Sequence, residues 1–194
     1  RAGELQQVFY FGLVRDQFDA AAFRHSIETA YAPLTADHGM PAWTLNNHDV
    51  HRSVSRYGLV EPAPTTSADP NALRIRRRGR VDVELGKTRA TAALLLLLAL
   101  PGSIYLYQGE ELGLPESTDM PGEFRQDPTF ARTQGTEIGR DGCRVPIPWV
   151  KDAPSLGFGP SDLTWLPQPQ VYGEYAVDQQ EGVAGSTLEL YRTL

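Results

Sequence analysis

Apolar residues fall in three short runs along the chain, separated by longer stretches of helical spacing. Val8-Phe9-Tyr10-Phe11-Gly12-Leu13-Val14 is nearly continuous, the pattern of a strand covered on both faces. From Asp19 the period changes: Phe23, Ile27, Ala30, Tyr31 and Leu34 recur at intervals of three and four. This predicts a helix opened by Asp19 and ended by Pro33. Gly39-Met40-Pro41 reads as a turn, and Ala42-Trp43-Thr44-Leu45 as a second buried strand. From Asn46 to about Val81 the pattern dissolves into a loop-rich segment containing Pro62, Pro64 and Pro70. Asp82 then caps a second helix, which runs through Arg89 into residues 92–100 and stops at Pro101-Gly102. Ser103-Ile104-Tyr105-Leu106-Tyr107 is the third strand.

The stretch that follows Tyr107 is rich in Gly and Pro and too long for a plain loop inside a compact domain. It must carry local structure or form a functional wall. Ser186-Thr187-Leu188-Glu189 has the form of a capping box, opening a helix still running at Leu194. The order is β-α-β-α-β, long loop, α. Alternating strands and helices imply a parallel sheet with helices outside it. Three strands cannot close a barrel. The chain is therefore either a small open sheet or three consecutive units of an eight-unit barrel. In both cases function belongs in the loops after the C-terminal strand ends.

Composition narrows the function classes. The chain has 194 residues, 18 basic and 24 acidic, with a formal charge of −6. That balance argues against a general nucleic-acid binder, which must neutralise phosphates. The basic run Arg74, Arg76, Arg77, Arg78 and Arg80 therefore reads as a solvated edge. Apolar residues at 41% exclude disorder throughout. Cys143 is the only cysteine, so no disulfide framework or multi-thiolate metal site exists, and it reads as a free structural thiol. The longest apolar run, residues 92–100, is far short of the ~20 residues a membrane span needs; it reads as packing against the sheet. His25 and His38 read as surface residues. The first residues carry no apolar signal region and no initiator Met, which predicts a fragment. No metal or cofactor is expected.

Candidate chemistry lies at two strand ends. After Leu45 come Asn46, Asn47, His48 and Asp49, then His51, Arg52 and Arg56; after Tyr107 come Gln108, Gly109, Glu110 and Glu111. A His beside an Asp at a strand end can donate to a substrate hydroxyl while the Asp accepts from one, both bonds strengthening as charge develops between them. The alternative is that residues 46–49 only form the turn after the strand.

The longer string decides in favour of chemistry. Trp43-Thr44-Leu45-Asn46-Asn47-His48-Asp49, with Arg52 and Ser55-Arg56-Tyr57-Gly58, resembles the fourth signature region of the α-amylase family, glycoside hydrolase family 13. Residues 99–113, through Tyr105-Leu106-Tyr107-Gln108-Gly109-Glu110-Glu111, are similar to the eighth strand of its α-glucosidase and oligo-1,6-glucosidase branch. Gly139-Arg140-Asp141-Gly142-Cys143-Arg144-Val145-Pro146-Ile147-Pro148-Trp149 resembles the segment that walls the glucose site, and Gln126-Asp127-Pro128 to Thr133 resembles actinobacterial members. The dominance of Arg over Lys (only Lys87 and Lys151) reads as a GC-rich genome.

The resemblance implies a partial (β/α)8 barrel of the α/β class, units six to eight, with the long Gly/Pro-rich loop after the last strand. Residues 1–194 would be the C-terminal part of a catalytic domain, from strand six to the start of helix eight, with the N-terminal barrel part absent. The implied activity is that of a cytoplasmic retaining α-glucosidase acting on short α-glucoside oligosaccharides, without nucleic acid or membrane partners. The alternatives are a glucosyl-transferring or isomerising relative such as trehalose synthase, or a non-catalytic binding remnant. The family's nucleophile motif, Gly-Phe-Arg-x-Asp, and its acid/base Glu do not occur here. Retaining enzymes need two carboxyls ~5–5.5 Å apart, and Asp49 with Glu110 on neighbouring strands could geometrically approach that. The resemblance instead makes Asp49 the transition-state stabiliser and Glu110 and Glu111 supporting groups. It makes His48 a hydroxyl-binding residue beside Asp49 and, with Asn47, part of the substrate site. Arg140 and Arg144 are each a sugar ligand or a loop-fixing ion pair. Arg52 pairs with a catalytic carboxylate or serves the loop. His51 stands where the family has Pro, and no role passes to it.

Overall fold

The structure is a computed structural model that describes residues 7–32, 39–62 and 79–194. Its centre is a three-stranded parallel sheet in the order β1 (Gln7–Phe9), β2 (Met40–Thr44), β5 (Ser103–Tyr105). Phe9 lies opposite Ala42, and Ala42 opposite Ser103. Helices α1 (Ala20–Tyr31) and α3 (Val83–Leu98) make the crossovers. The capping expected at both helix starts is present: Asp19 Oδ1 accepts from Ala22 N at 2.8 Å, and Asp82 Oδ1 from Leu85 N at 2.9 Å. Pro33, Leu34 and His38 lie outside the described residues, as do Pro64, Pro70, Arg74, Arg76, Arg77 and Arg78.

Trp43 is the middle of the first core. It packs edge-on against Tyr10 and Tyr31, and its indole N–H donates to the Pro101 carbonyl at 2.9 Å. From α3 Gly86, Ala90, Ala93, Leu94 and Leu97 are buried, spaced as one helical face. The leucine run thus serves the core with one side, while Leu95 and Leu98 face out.

Three expectations need correction. The first strand is three residues long and exposed, with Val8 61% and Phe9 43% accessible. It is an edge of the described sheet, and nothing described covers its second face; Leu13 and Val14 are buried instead in the turn that follows. Second, the segment after Asn46 is not plain loop. It holds α2 (Ser53–Tyr57) and an antiparallel pair, β3 (Leu59–Pro62) with β4 (Gly79–Val81). Third, Ser186 Oγ caps α6 (Thr187–Thr193) through Glu189 N at 3.2 Å, but the reciprocal bond is not made. Glu189 accepts from Gly182 N and Arg192 instead, because Ser186 N is taken by the Val183 carbonyl.

The expected local structure in the Gly/Pro-rich stretch is there. It holds 3-10 turns and two short helices, α4 (Pro128–Arg132) and α5 (Val177–Gln180). A second core of Leu112, Leu114, Met120, Val145, Ile147, Leu166, Tyr172 and Leu188 sits beneath them.

The closest packing joins α2 to α3. A Cβ placed on Gly86 would strike the Val54 carbonyl oxygen. Gly86→Ala gains helix propensity but forces the helices apart, and a net loss of about 1–3 kcal/mol is expected. Thermal unfolding of the whole protein checks this; an unchanged or raised midpoint would show that the two helices have room to separate.

Candidate active site

The site forms where β2 ends. Thr44 Oγ1 donates to the Asn46 carbonyl at 2.7 Å. The Asn46 side chain then locks onto α2, accepting from Ser53 N at 2.5 Å and donating to Ser53 Oγ at 3.1 Å. Asn47 Oδ1 accepts from Asp49 N at 2.8 Å, an Asx turn that orders the backbone of the next two residues. His48 is exposed and Asp49 half-exposed as a result.

Two arginines of α2 and its cap hold the strand ends together from behind. Arg56 donates to the Val14, Leu45 and His51 carbonyls at 2.7, 2.5 and 2.9 Å. Arg52 donates to Gln108 O at 2.7 Å and Cys143 O at 3.1 Å, with its guanidinium 5.4 Å from the Tyr107 ring centre. Irregular backbone leaves carbonyls without ladder partners, and these side chains satisfy them. Arg52 is only 2% exposed. Two of its guanidinium nitrogens are engaged by backbone carbonyls, which supports the loop-serving one of its two readings, while its Nε is buried without a hydrogen-bond partner among the described residues.

Asp49 collects the other predicted residues. Its Oδ1 accepts from Arg140 Nη1 at 2.9 Å and from Arg144 Nη2 at 3.0 Å, while Oδ2 lies 3.5 Å from His48 Nε2. Arg144 also donates to the His48 carbonyl at 2.8 Å. The two arginines flank a 3-10 turn, Asp141–Cys143, which delivers both to the same oxygen. Asn47, His48, Asp49, Arg140 and Arg144 thus form one cluster, in which Arg144 meets a carbonyl 96 positions earlier in the chain.

Asp127 completes it, and sequence reasoning passed it over. Asp127-Pro128 carries the signal of a helix start, and it does cap α4, Oδ1 accepting from Thr129 N at 2.9 Å. Its Oδ2 also accepts from Arg140 Nε at 2.6 Å and Arg140 N at 2.9 Å. Burial alone would raise this carboxyl, but the bonds from Arg140 and Thr129 outweigh it and hold it well below the usual carboxylate range. Two carboxylates and two guanidiniums therefore balance in the cluster.

The remaining candidates lie apart from Asp49. Glu110 is buried, accepts from Tyr107 N at 3.2 Å, and its carboxyl is pushed up by burial. Cys143 is fully buried and donates to the Arg140 carbonyl, and burial pushes its thiol far up, as in a structural thiol. His51 is 5% exposed, with Nε2 unpartnered among the described residues. His25 is exposed. Among the described residues no group of three His, Cys, Asp or Glu could hold a metal ion, and no helix is long and apolar enough to cross a membrane.

Known proteins resemble the chain along nearly its whole length. The α-amylase catalytic-domain family matches residues 11–194. A probable α-glucosidase of Rhizobium meliloti is 36% identical over 157 residues, covering 81% of this chain and 24% of that protein. An oligo-1,6-glucosidase of Parageobacillus thermoglucosidasius is 28% identical, covering 77% of this chain and 25% of its own length. The crystal structure of an α-glucosyl transfer enzyme, XgtA, superposes with a TM-score of 0.70 at 34% identity, over 99% of this chain and 32% of that one. The chain thus spans about a quarter of the length of the curated relatives it matches.

Proposed function

The chain belongs to the α-amylase family, and from that premise we propose that it is the part of a retaining α-glucosidase that stabilises the transition state and grips the terminal sugar. In this reading β1, β2 and β5 are strands six, seven and eight of the barrel, and α6 is the start of helix eight. The nucleophile and the acid/base come from outside residues 1–194. Asp49 stands at the C-terminal end of a parallel strand, where barrel enzymes carry their chemistry. Its Oδ2, beside His48, is left to meet sugar hydroxyls while Oδ1 is held by two arginines. That division of one carboxylate is the observation that carries the proposal.

The charge balance supports the external carboxylates. Positive charge develops on the ring as the glycosidic bond breaks, and Asp49 is already matched by Arg140 and Arg144. Further negative charge must arrive with a nucleophile to stabilise the ring cation. Trp149 and Trp165, 47% and 65% exposed on the wall beyond β5, are available to stack on sugar faces. The substrates are short α-glucosides cut from the non-reducing end. In the complete protein, maltose, isomaltose and their trisaccharides are expected to release glucose, with the α-anomer appearing first by NMR. Maltotriose as a main product from starch, or initial release of the β-anomer, would overturn the reading.

A second reading is favoured by the 34% identity to an α-glucosyl transfer enzyme: the same site passes glucose to a hydroxyl other than water. Adding an alcohol acceptor separates the two, since a transferase then forms glucoside in preference to glucose.

A further inference from the structure

We propose that Asp127 is a positioning residue for this site: it sets the Arg140 guanidinium, and through it the orientation of Asp49. The proposal rests on the assignment of Asp49 above. Asp127 has no contact with Asp49 among the hydrogen bonds described, so the proposed effect on the reaction passes through Arg140.

The geometry is that of a built support. The Asp127 side chain is fully buried, whereas Arg140 is 33% and Asp49 47% exposed. A long arginine at a half-exposed site loses considerable rotamer freedom when ordered, and an exposed ion pair alone contributes little. Asp127 removes that freedom by holding Arg140 at two points, the backbone N–H and Nε. The guanidinium plane is then fixed, and Nη1 has one direction, toward Asp49 Oδ1. Asp127 is itself fixed. Asp141 Oδ2 accepts from Gln126 N at 2.8 Å and Asp127 N at 2.9 Å, so the residue after Arg140 reaches back to hold the residues around Asp127. Gly139 makes the approach possible: it sits at φ 69°, and a Cβ there would lie 2.8 Å from the Asp127 Cβ.

This chain of contacts has a functional consequence distinct from capping α4. The cap uses Oδ1 and the positioning uses Oδ2, so the two can be separated. Asp127→Asn is isosteric and keeps an acceptor for Thr129 N, and Asp127→Ser keeps a capping oxygen too short to reach Arg140. The charge-assisted bond to Arg140 is lost in both, because in the first the amide oxygen kept on Thr129 N turns the NH2 group toward the Arg140 donors.

The test uses the complete enzyme with Asp127→Asn, Asp127→Ser, Arg140→Ala, the double variant Asp127→Ser/Arg140→Ala, and Asp49→Asn as reference. Asp127→Ser is expected to lower kcat roughly tenfold to a hundredfold, with a smaller change in KM and Asp127→Asn lowered at least as far. In the Arg140→Ala background Asp127→Ser should cost nothing further, within about twofold. If Asp127→Ser lowers activity by the same factor with and without Arg140, the residue acts as a helix cap and the proposal falls. Normal kcat in Asp127→Ser beside an inactive Asp49→Asn overturns the positioning role alone. Normal kcat in Asp49→Asn as well overturns the site assignment on which it rests.

Discussion

Replacing Asp49 with Asn in the complete enzyme is expected to lower kcat by at least about 10²–10³ while KM stays within a few-fold. The magnitude exceeds the loss of one hydrogen bond because of what remains behind. Arg140 keeps its bonds to Asp127, and Arg144 keeps its bond to the His48 carbonyl, so neither guanidinium can swing away. A balanced cluster becomes a cationic one at the position where the sugar ring itself turns cationic. Ground-state binding of a neutral sugar feels this little, and the transition state feels it fully. Hydrolysis of a nitrophenyl α-glucoside gives both constants, and circular dichroism checks that the fold is intact. A variant within about threefold of its parent in kcat would remove Asp49 from the reaction.

Residues 1–194 expressed alone are expected to release no glucose from any α-glucoside and to be poorly soluble. Parallel sheets are ordinarily covered on both faces. Here the face opposite Trp43 is open: Phe9, Met40 and Tyr105 are 43–48% exposed, with the Phe9 and Tyr105 rings 4.4 Å apart. An apolar sheet face with unpaired edges is a template for association. Co-expression with a polypeptide carrying the first five barrel units should restore both solubility and hydrolysis. Glucose release from maltose by the isolated chain, lost on Asp49→Ala, would show that the nucleophile is here after all. A monomeric, cooperatively unfolding isolated chain would show that the open face needs no cover.

How much could be read from the sequence varies with what each residue answers to. The starts of α1 and α3 were legible because Asp19 and Asp82 act locally and the buried positions behind them keep a helical period. The extent of β1 was not, since residues 8–14 look the same whether they extend a strand or drop into a buried turn. Helix α2 is too short to show a period, and the partners of β3 are 17 to 22 positions away in the chain. Among site residues, the string around His48 and Asp49 and the segment holding Arg140 and Arg144 stand out together. Arg52 and Arg56 could not be sorted by spacing. Both lie near Asp49 in the chain, and only the fold shows them turned to backbone carbonyls. Asp127 was hidden by a second job, since an Asp before a Pro is sufficiently explained as a helix cap.

The pairing of Asp49 and Asp127 with Arg140 and Arg144 has a kinetic side. Two opposite pairs held this close project a field that falls off faster than that of a lone charge, and what remains is cut off by salt within ~8–10 Å. An uncharged sugar, the substrate proposed above, would arrive by plain diffusion. Under the proposed function, selection between substrates happens after encounter, at contact range, through hydroxyl geometry against Asp49 Oδ2 and His48. Capture should be equally fast in dilute buffer and in concentrated salt, a property suited to a neutral substrate whose only distinguishing marks are the directions of its hydroxyls.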